Sequence, residues 1–265
     1  MQRVESQVGG AGSPALRGLL HGPPATGTVV HSGRQAVYAD LGGGATGGVV
    51  GILAHGAVHV PCGIATTLDA LPDIEVGSPA TAGDGVLRVG PLTVGVDRLV
   101  RFRPAPLTPQ TARRLVAVTV DLGVARDQLP PDALDLLAAG DPAAVPDLVG
   151  RGDGLTPVGD DVLCGWLATT LARGVDPGAV ADAVRAHLHR TTGLSATLLR
   201  HAVDGEAIAP FRAALATGDA AAVAALLAVG HTSGTGMLLG AHLALSTPDS
   251  QSVSITHEAL EGSTR

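Results

Sequence analysis

Through the first part of the chain, apolar residues alternate with polar ones in short runs: Gly27 to Val30, Ala36 to Leu41, Val49 to Leu53, Ala57 to Val60, Val86 to Val89, Leu92 to Val94 and Arg98 to Phe102. Glycine, proline and aspartate interrupt these runs every few residues, a pattern that predicts strands of a β sandwich or small barrel. Gly42 to Gly48 reads as a loose turn. After Arg103-Pro104-Ala105-Pro106 the apolar period lengthens from two to about 3.6, so the remainder reads as helices. Thr108-Pro109 opens a helix to about Leu122, and Pro130-Pro131-Asp132 opens one that ends near Gly140. Thr156-Pro157 is read as a cap followed by proline at the first helical position, leading a helix to Gly174, and Asp176-Pro177 repeats the device to about Thr191. Further helices are predicted at 195–204, 207–217 and 219–229, with a last one starting near Thr232 or Ser233 and fading by Ser246.

The chain therefore divides into a polar N-terminal stretch (1–13), a β-rich domain (14–105), a helical domain (106–246) and a Ser/Thr-rich, acidic tail (247–265). The two ends are expected to be flexible. The fold class is α+β, an N-terminal sandwich or barrel-like region followed by a C-terminal helical domain.

The most informative stretch is Gly150-Arg151-Gly152-Asp153-Gly154-Leu155-Thr156-Pro157-Val158-Gly159-Asp160-Asp161, a glycine-rich bend that runs into a helix start. Such a bend exposes backbone N–H groups. Together with the helix dipole and the planar guanidinium of Arg151, they favour a bound carboxylate or phosphate. Asp160 and Asp161 either complement the helix dipole or require a proton or cation beside them. A glycine at 159 costs helix stability and points to a close approach there. A shorter relative of this stretch follows at Gly230-His231-Thr232-Ser233-Gly234-Thr235-Gly236. A cap uses one hydroxyl; the others here, with His231 beside them, suggest ligand binding and acid–base work. A serine-nucleophile elbow is absent at this position. Ser195 and His201 could face the same pocket.

Composition narrows the field. All 17 basic residues are arginine, and there is neither lysine nor asparagine. Lysine Schiff-base enzymes, the usual pyridoxal enzymes, Walker-A nucleotide binding and protein kinases are thereby excluded. A net charge of −7 without a basic block argues against nucleic acid or an anionic membrane as the main partner. No apolar run approaches the roughly 20 residues that cross a bilayer. A soluble cytoplasmic protein is expected. Cys62 and Cys164 are the only thiols. Cys164 reads as a packed core residue, and His55, His59 and Cys62 lack the second Cys or His pair of a structural zinc site.

The two motifs together, Gly152-x-Gly154-Leu155-Thr156-Pro157-x-Gly159-Asp160-Asp161 and Gly230-His231-Thr232-Ser233-Gly234-Thr235, resemble the oxamate carbamoyltransferase AllH-like subunit family. The likeness covers mainly residues 145–245. It implies a role in allantoin catabolism and purine degradation, where oxalurate and phosphate are converted reversibly to oxamate and carbamoyl phosphate by an assembly with other subunits. On that reading His231, Asp160 and Asp161 are catalytic. Gly152, Gly154, Thr156, Thr232 and Ser233 bind substrate, and the reading of the residues themselves adds Arg151 and Ser195 to that set. No resident metal is implied, although a divalent cation such as Mg is compatible with the carboxylates, and a homo-oligomer is compatible with the family. One departure is that Gly236 stands where the family often carries an acid. The alternatives are a noncatalytic anion-binding or scaffolding subunit, and a lyase or cyclase of changed specificity on the same fold.

Overall fold

The computed structural model describes residues 7–42 and 48–246. Residues 1–6, the tip of the turn at 43–47 and the tail at 247–265 lie outside the described residues. Strands β1 (Val8–Gly12), β2 (Ala25–Ser32), β3 (Ala36–Asp40), β4 (Val49–Leu53), β5 (Gly63–Ala65), β6 (Pro79–Gly83), β7 (Val86–Val89) and β8 (Leu92–Leu99) close a barrel in the order β1-β5-β4-β3-β2-β6-β7-β8. Of the two closures predicted, sandwich or barrel, the chain makes the barrel. β1 runs parallel to β8 and β4 parallel to β5; the remaining pairs are antiparallel.

The period of two sets which residues fill the barrel. Val37 and Ala39 of β3 and Val50 and Ile52 of β4 point inward to meet Val29, Ile64, Leu87 and Val94. Tyr38, Val49 and Leu53 point the other way and join the core of the helical region. β4 is thus buried on both faces, which is why its sequence reads as an unbroken apolar run. Helix α1 (Pro14–Leu20) adds Leu16 and Leu20 to the barrel core; its cap Ser13 accepts from the Leu16 N–H at 3.1 Å.

The helical region comprises α2 (Pro109–Ala117), α3 (Gly123–Arg126), α4 (Pro131–Ala138), α5 (Val145–Leu148), α6 (Val158–Ala172), α7 (Gly178–His187), α8 (Gly193–Val203), α9 (Ala209–Thr217), α10 (Ala220–Leu227) and α11 (Ser233–Ser246). α6 is its axis: every residue of it but Leu171 is buried. α11 lies against it at backbone distance. A Cβ built at Gly165 would sit 2.1 Å from the Met237 carbonyl oxygen, and one at Gly240 would sit 2.0 Å from that of Val162. Glycines on both helices therefore set their separation. No described helix is long and apolar enough to cross a membrane.

The structure departs from the sequence reading at several places. Val8–Gly12, inside the stretch expected to be flexible, is a barrel strand, and Pro79–Gly83 is another despite its turn-like composition. Ala57 to Val60 is not a strand but part of the connection between β4 and β5. α2 stops at Ala117 because the β-branched run Val118 to Val120 favours extended backbone, and Val118 adopts it with ψ 115°. α6 begins at Val158 with no side-chain cap, so Thr156 does not cap it.

Candidate functional site

α5 ends at Leu148, and the chain doubles back over the first turn of α6. Gly150 turns it with φ +73°, where a Cβ would lie 2.5 Å from the Arg190 carbonyl oxygen. Gly152 and Gly154 continue the bend at φ +111° and +90°. Gly159 lets the loop settle onto the helix: its N–H donates to the Arg151 carbonyl at 2.9 Å, and a Cβ there would meet the Leu148 oxygen at 2.1 Å. The close approach predicted at Gly159 is thus made by the protein's own backbone. Arg151 through Leu155 are exposed. The N–H groups of Gly152, Asp153, Gly154, Leu155 and Thr156 have no acceptor among the described residues. This run of open amides precedes a helix N-terminus, an arrangement suited to an anion.

Beneath the loop, Asp160 is buried and its carboxylate is fully engaged. Oδ1 accepts from the Gly150 N–H at 2.8 Å; Oδ2 accepts from the Ser195 hydroxyl at 2.6 Å and from the Thr191 hydroxyl. Burial raises its pKa, while the bonds from Ser195, Thr191 and Gly150 oppose the rise. Asp160 ties the loop, α6 and the start of α8 together. Thr192 extends the tie: its hydroxyl caps α8 by accepting from the Ser195 N–H at 3.1 Å and donates to the Leu155 carbonyl. Sequence reasoning missed Thr191 and Thr192, although paired hydroxyls between two helices were the signal that could have found them.

Asp161 differs from its neighbour. It is 2% exposed, and its Oδ2 has no hydrogen-bond partner. Burial pushes its pKa well above the usual carboxylate range. Ser233 opposes that rise, Asp160's charge adds to it, and Thr156 opposes it again.

The second motif arrives at this point. Gly230, at φ +60°, ends the turn after α10, and Gly234 packs so tightly that a Cβ would lie 1.9 Å from the Leu226 carbonyl oxygen. Ser233, the first residue of α11, is thereby placed with its Oγ 3.0 Å from Thr156 Oγ1. The two glycine-rich stretches, 77 residues apart, meet through this hydroxyl pair above Asp161. His231 is exposed on the adjoining turn, and the Thr232 carbonyl accepts from the Gly236 N–H at 2.8 Å. Gly236 has a steric role: a Cβ there would press on Asp161 Cβ at 3.0 Å. A longer side chain at this position would compete with the Asp161 carboxyl for the same space.

Other residues singled out lie elsewhere or are already committed. Ser195 is buried with its hydroxyl on Asp160, so it is placed to position that carboxylate rather than to meet solvent. His201 pairs with Glu206 at 2.7 Å and lines a different cleft. Cys164 is buried, its thiol pushed up by burial and then by Asp161 and Asp160. Cys62 is buried away from His55 and His59, its thiol pushed up to about 12 by burial. Among the described residues, no three His, Cys, Asp or Glu side chains gather as a metal-holding set.

The two stretches thus contribute open loop amides, an exposed arginine, a hydroxyl pair and a buried acid. Residues 148–245 match the model of one protein family, the oxamate carbamoyltransferase subunit AllH. The match runs from the end of α5 through α11, takes in both glycine-rich stretches and leaves the barrel outside. No curated protein and no solved structure matches the chain.

Proposed function

We propose that the chain takes part in carbamoyl transfer between oxalurate- or oxamate-like small carboxylates and phosphate, as an enzyme or as a subunit of a transferase complex with partner subunits. The observation that carries this reading is the run of unpaired amides from Gly152 to Thr156, which follows Arg151 and ends at the residue whose hydroxyl pairs with Ser233. The family match over the same residues supplies the reaction class.

In the forward direction a phosphate oxygen attacks the carbamoyl carbon of oxalurate, and the bond from that carbon to the oxamate nitrogen breaks. The departing nitrogen gains one proton, and monohydrogen phosphate gives one up, so the exchange balances. The loop amides and Arg151 hold the anionic ends of the substrates. A proton held on Asp161, whose pKa burial raises, passes to the departing nitrogen through the Thr156 and Ser233 hydroxyls and is recovered from the phosphate side. His231, on the open rim with Thr232, assists that proton transfer or polarises the carbonyl. Asp160 and Ser195 act as positioning residues, because their polar atoms are already spent on each other and on the loop.

A second reading is favoured by the depth of Asp161: the exposed amides can hold an anion with no chemistry behind them, which describes a noncatalytic binding subunit. Turnover of oxalurate with phosphate, measured for the purified chain alone and with partner subunits, separates the readings. D161N and H231Q should each lower turnover by about a hundredfold or more if they move protons. A chain that binds oxamate or carbamoyl phosphate yet never affects turnover is the noncatalytic subunit. Turnover of an unrelated carbonyl compound indicates a lyase or cyclase, and unchanged rates in both variants remove these residues from the mechanism.

A further inference from the structure

A cleft of about 340 Å³ opens in the barrel wall at the seam of β1 and β5, remote in sequence from the glycine-rich loop. Its size sits at the lower end of small-molecule pockets. The seam is open because β1 and β5 pair only at Ala11 and Ala65, after which Thr66 and Thr67 diverge from Gly9 and Gly10. The β4–β5 connection supplies the opposite wall through His55 and His59, and this wall is tied to the helical region where the Ala209 N–H donates to the His59 carbonyl at 3.0 Å.

The decisive feature is a bulge. Along β1 and β8 the register runs Gly10 to Val96 and then Ala11 to Arg98, so Asp97 is the extra residue. Successive residues of a regular strand point to opposite faces; the bulge re-aims them, and both Asp97 and Arg98 line the cleft. Gly9 makes room for this, since Asp97 Oδ2 lies 1.8 Å from where a Gly9 Cβ would stand. Neither the Asp97 nor the Arg98 side chain has a hydrogen-bond or ion-pair partner among the described residues, although the two charges lie side by side in one cleft. No metal-holding set forms there among the described residues.

We propose that this cleft binds a small carboxylate that also carries an amide or amine N–H. Arg98 and the imidazoles of His55 and His59 take the carboxylate, and Asp97 accepts the N–H. The site is independent of the carbamoyl-transfer reading.

The test follows the imidazole NMR signals of His55 and His59, assigned with H55Q and H59Q, during titration of the full chain. The probes share one carbon skeleton: malonamate (acid and amide), malonate (acid only) and malonamide (amide only), with inorganic phosphate as a further arm. Malonamate should shift both signals at millimolar concentration and bind at least tenfold more tightly than the other probes. R98Q should weaken it tenfold or more, and D97N should reduce malonamate to the level of malonate. Ser233→Ala should change nothing at these signals, which separates this cleft from the glycine-rich site. If neither signal moves, or the shifts survive R98Q, the site is refuted. If malonate or phosphate binds as tightly as malonamate, the role given to Asp97 is refuted.

Discussion

The barrel and the helical region use the same residue to opposite ends. In the helical region a missing Cβ lets backbone meet backbone: Gly165 on Met237, Gly240 on Val162, Gly234 on Leu226 and Gly159 on Leu148. Helices brought that close leave no slack, and the buried carboxylates of α6 are fixed to within a hydrogen bond. In the barrel the missing Cβ more often admits a side chain, Gly27, which lies on the Asp40 backbone, being an exception. Gly9 receives Asp97, Gly51 receives the ring of Tyr38, and Gly63 receives Leu53. The first kind of glycine builds rigidity and the second builds space, so substitutions should divide along the same line.

D160A should have the largest effect on stability. It orphans the Gly150 N–H and the Thr191 and Ser195 hydroxyls, and at about 1–3 kcal/mol per unsatisfied buried group a loss of about 3 kcal/mol is expected by urea denaturation. G165A comes next. Alanine adds about 1 kcal/mol of helix propensity, but forcing a methyl against the Met237 backbone costs about 1–3 kcal/mol and pushes α11 away, so a net fall in Tm is expected.

D161N gives a pH-dependent effect. The folded-state pKa of Asp161 lies above its ordinary 3.8, so its contribution to stability is complete below that value and is lost as pH rises toward the folded pKa. Within that window the slope approaches about 1.4 kcal/mol per pH unit. Asparagine cannot ionise, so denaturation midpoints of D161N should stay flatter from acid to neutral pH; parallel profiles would show that the Asp161 pKa is not raised. G9A should be the mildest, since Asp97 is exposed and can swing into solvent at a cost within about 0.5 kcal/mol. A large destabilisation by G9A would overturn the distinction between the two kinds of glycine.

Much of the architecture was legible because periodicity reports burial directly. The alternation along Ala36 to Leu41 and the helical period after Pro106 each reflect which face meets a core. The starts of helices marked by a proline or hydroxyl, such as Thr108-Pro109, were placed nearly to the residue, although α2 ends at Ala117 rather than near Leu122. Strands β1 and β6 were not, since Val8–Gly12 and Pro79–Gly83 carry almost no apolar signal and owe their conformation to neighbours in a closed barrel. The glycine-rich stretches stood out in the sequence as chemistry, but nothing local distinguished Asp160 from Asp161.

The sequence by itself determined the change from strands to helices after Pro106, the exclusion of lysine chemistry and the two glycine-rich stretches, because propensity, period and composition are properties of neighbouring residues. Only the tertiary structure decided that Thr156 meets Ser233, that Asp160 is saturated while Asp161 is left with an unpaired oxygen, and that a bulge turns Asp97 and Arg98 into one cleft. Those outcomes depend on which distant groups share a desolvated space, and burial and hydrogen bonding there shift a carboxyl group far more than its sequence neighbours can.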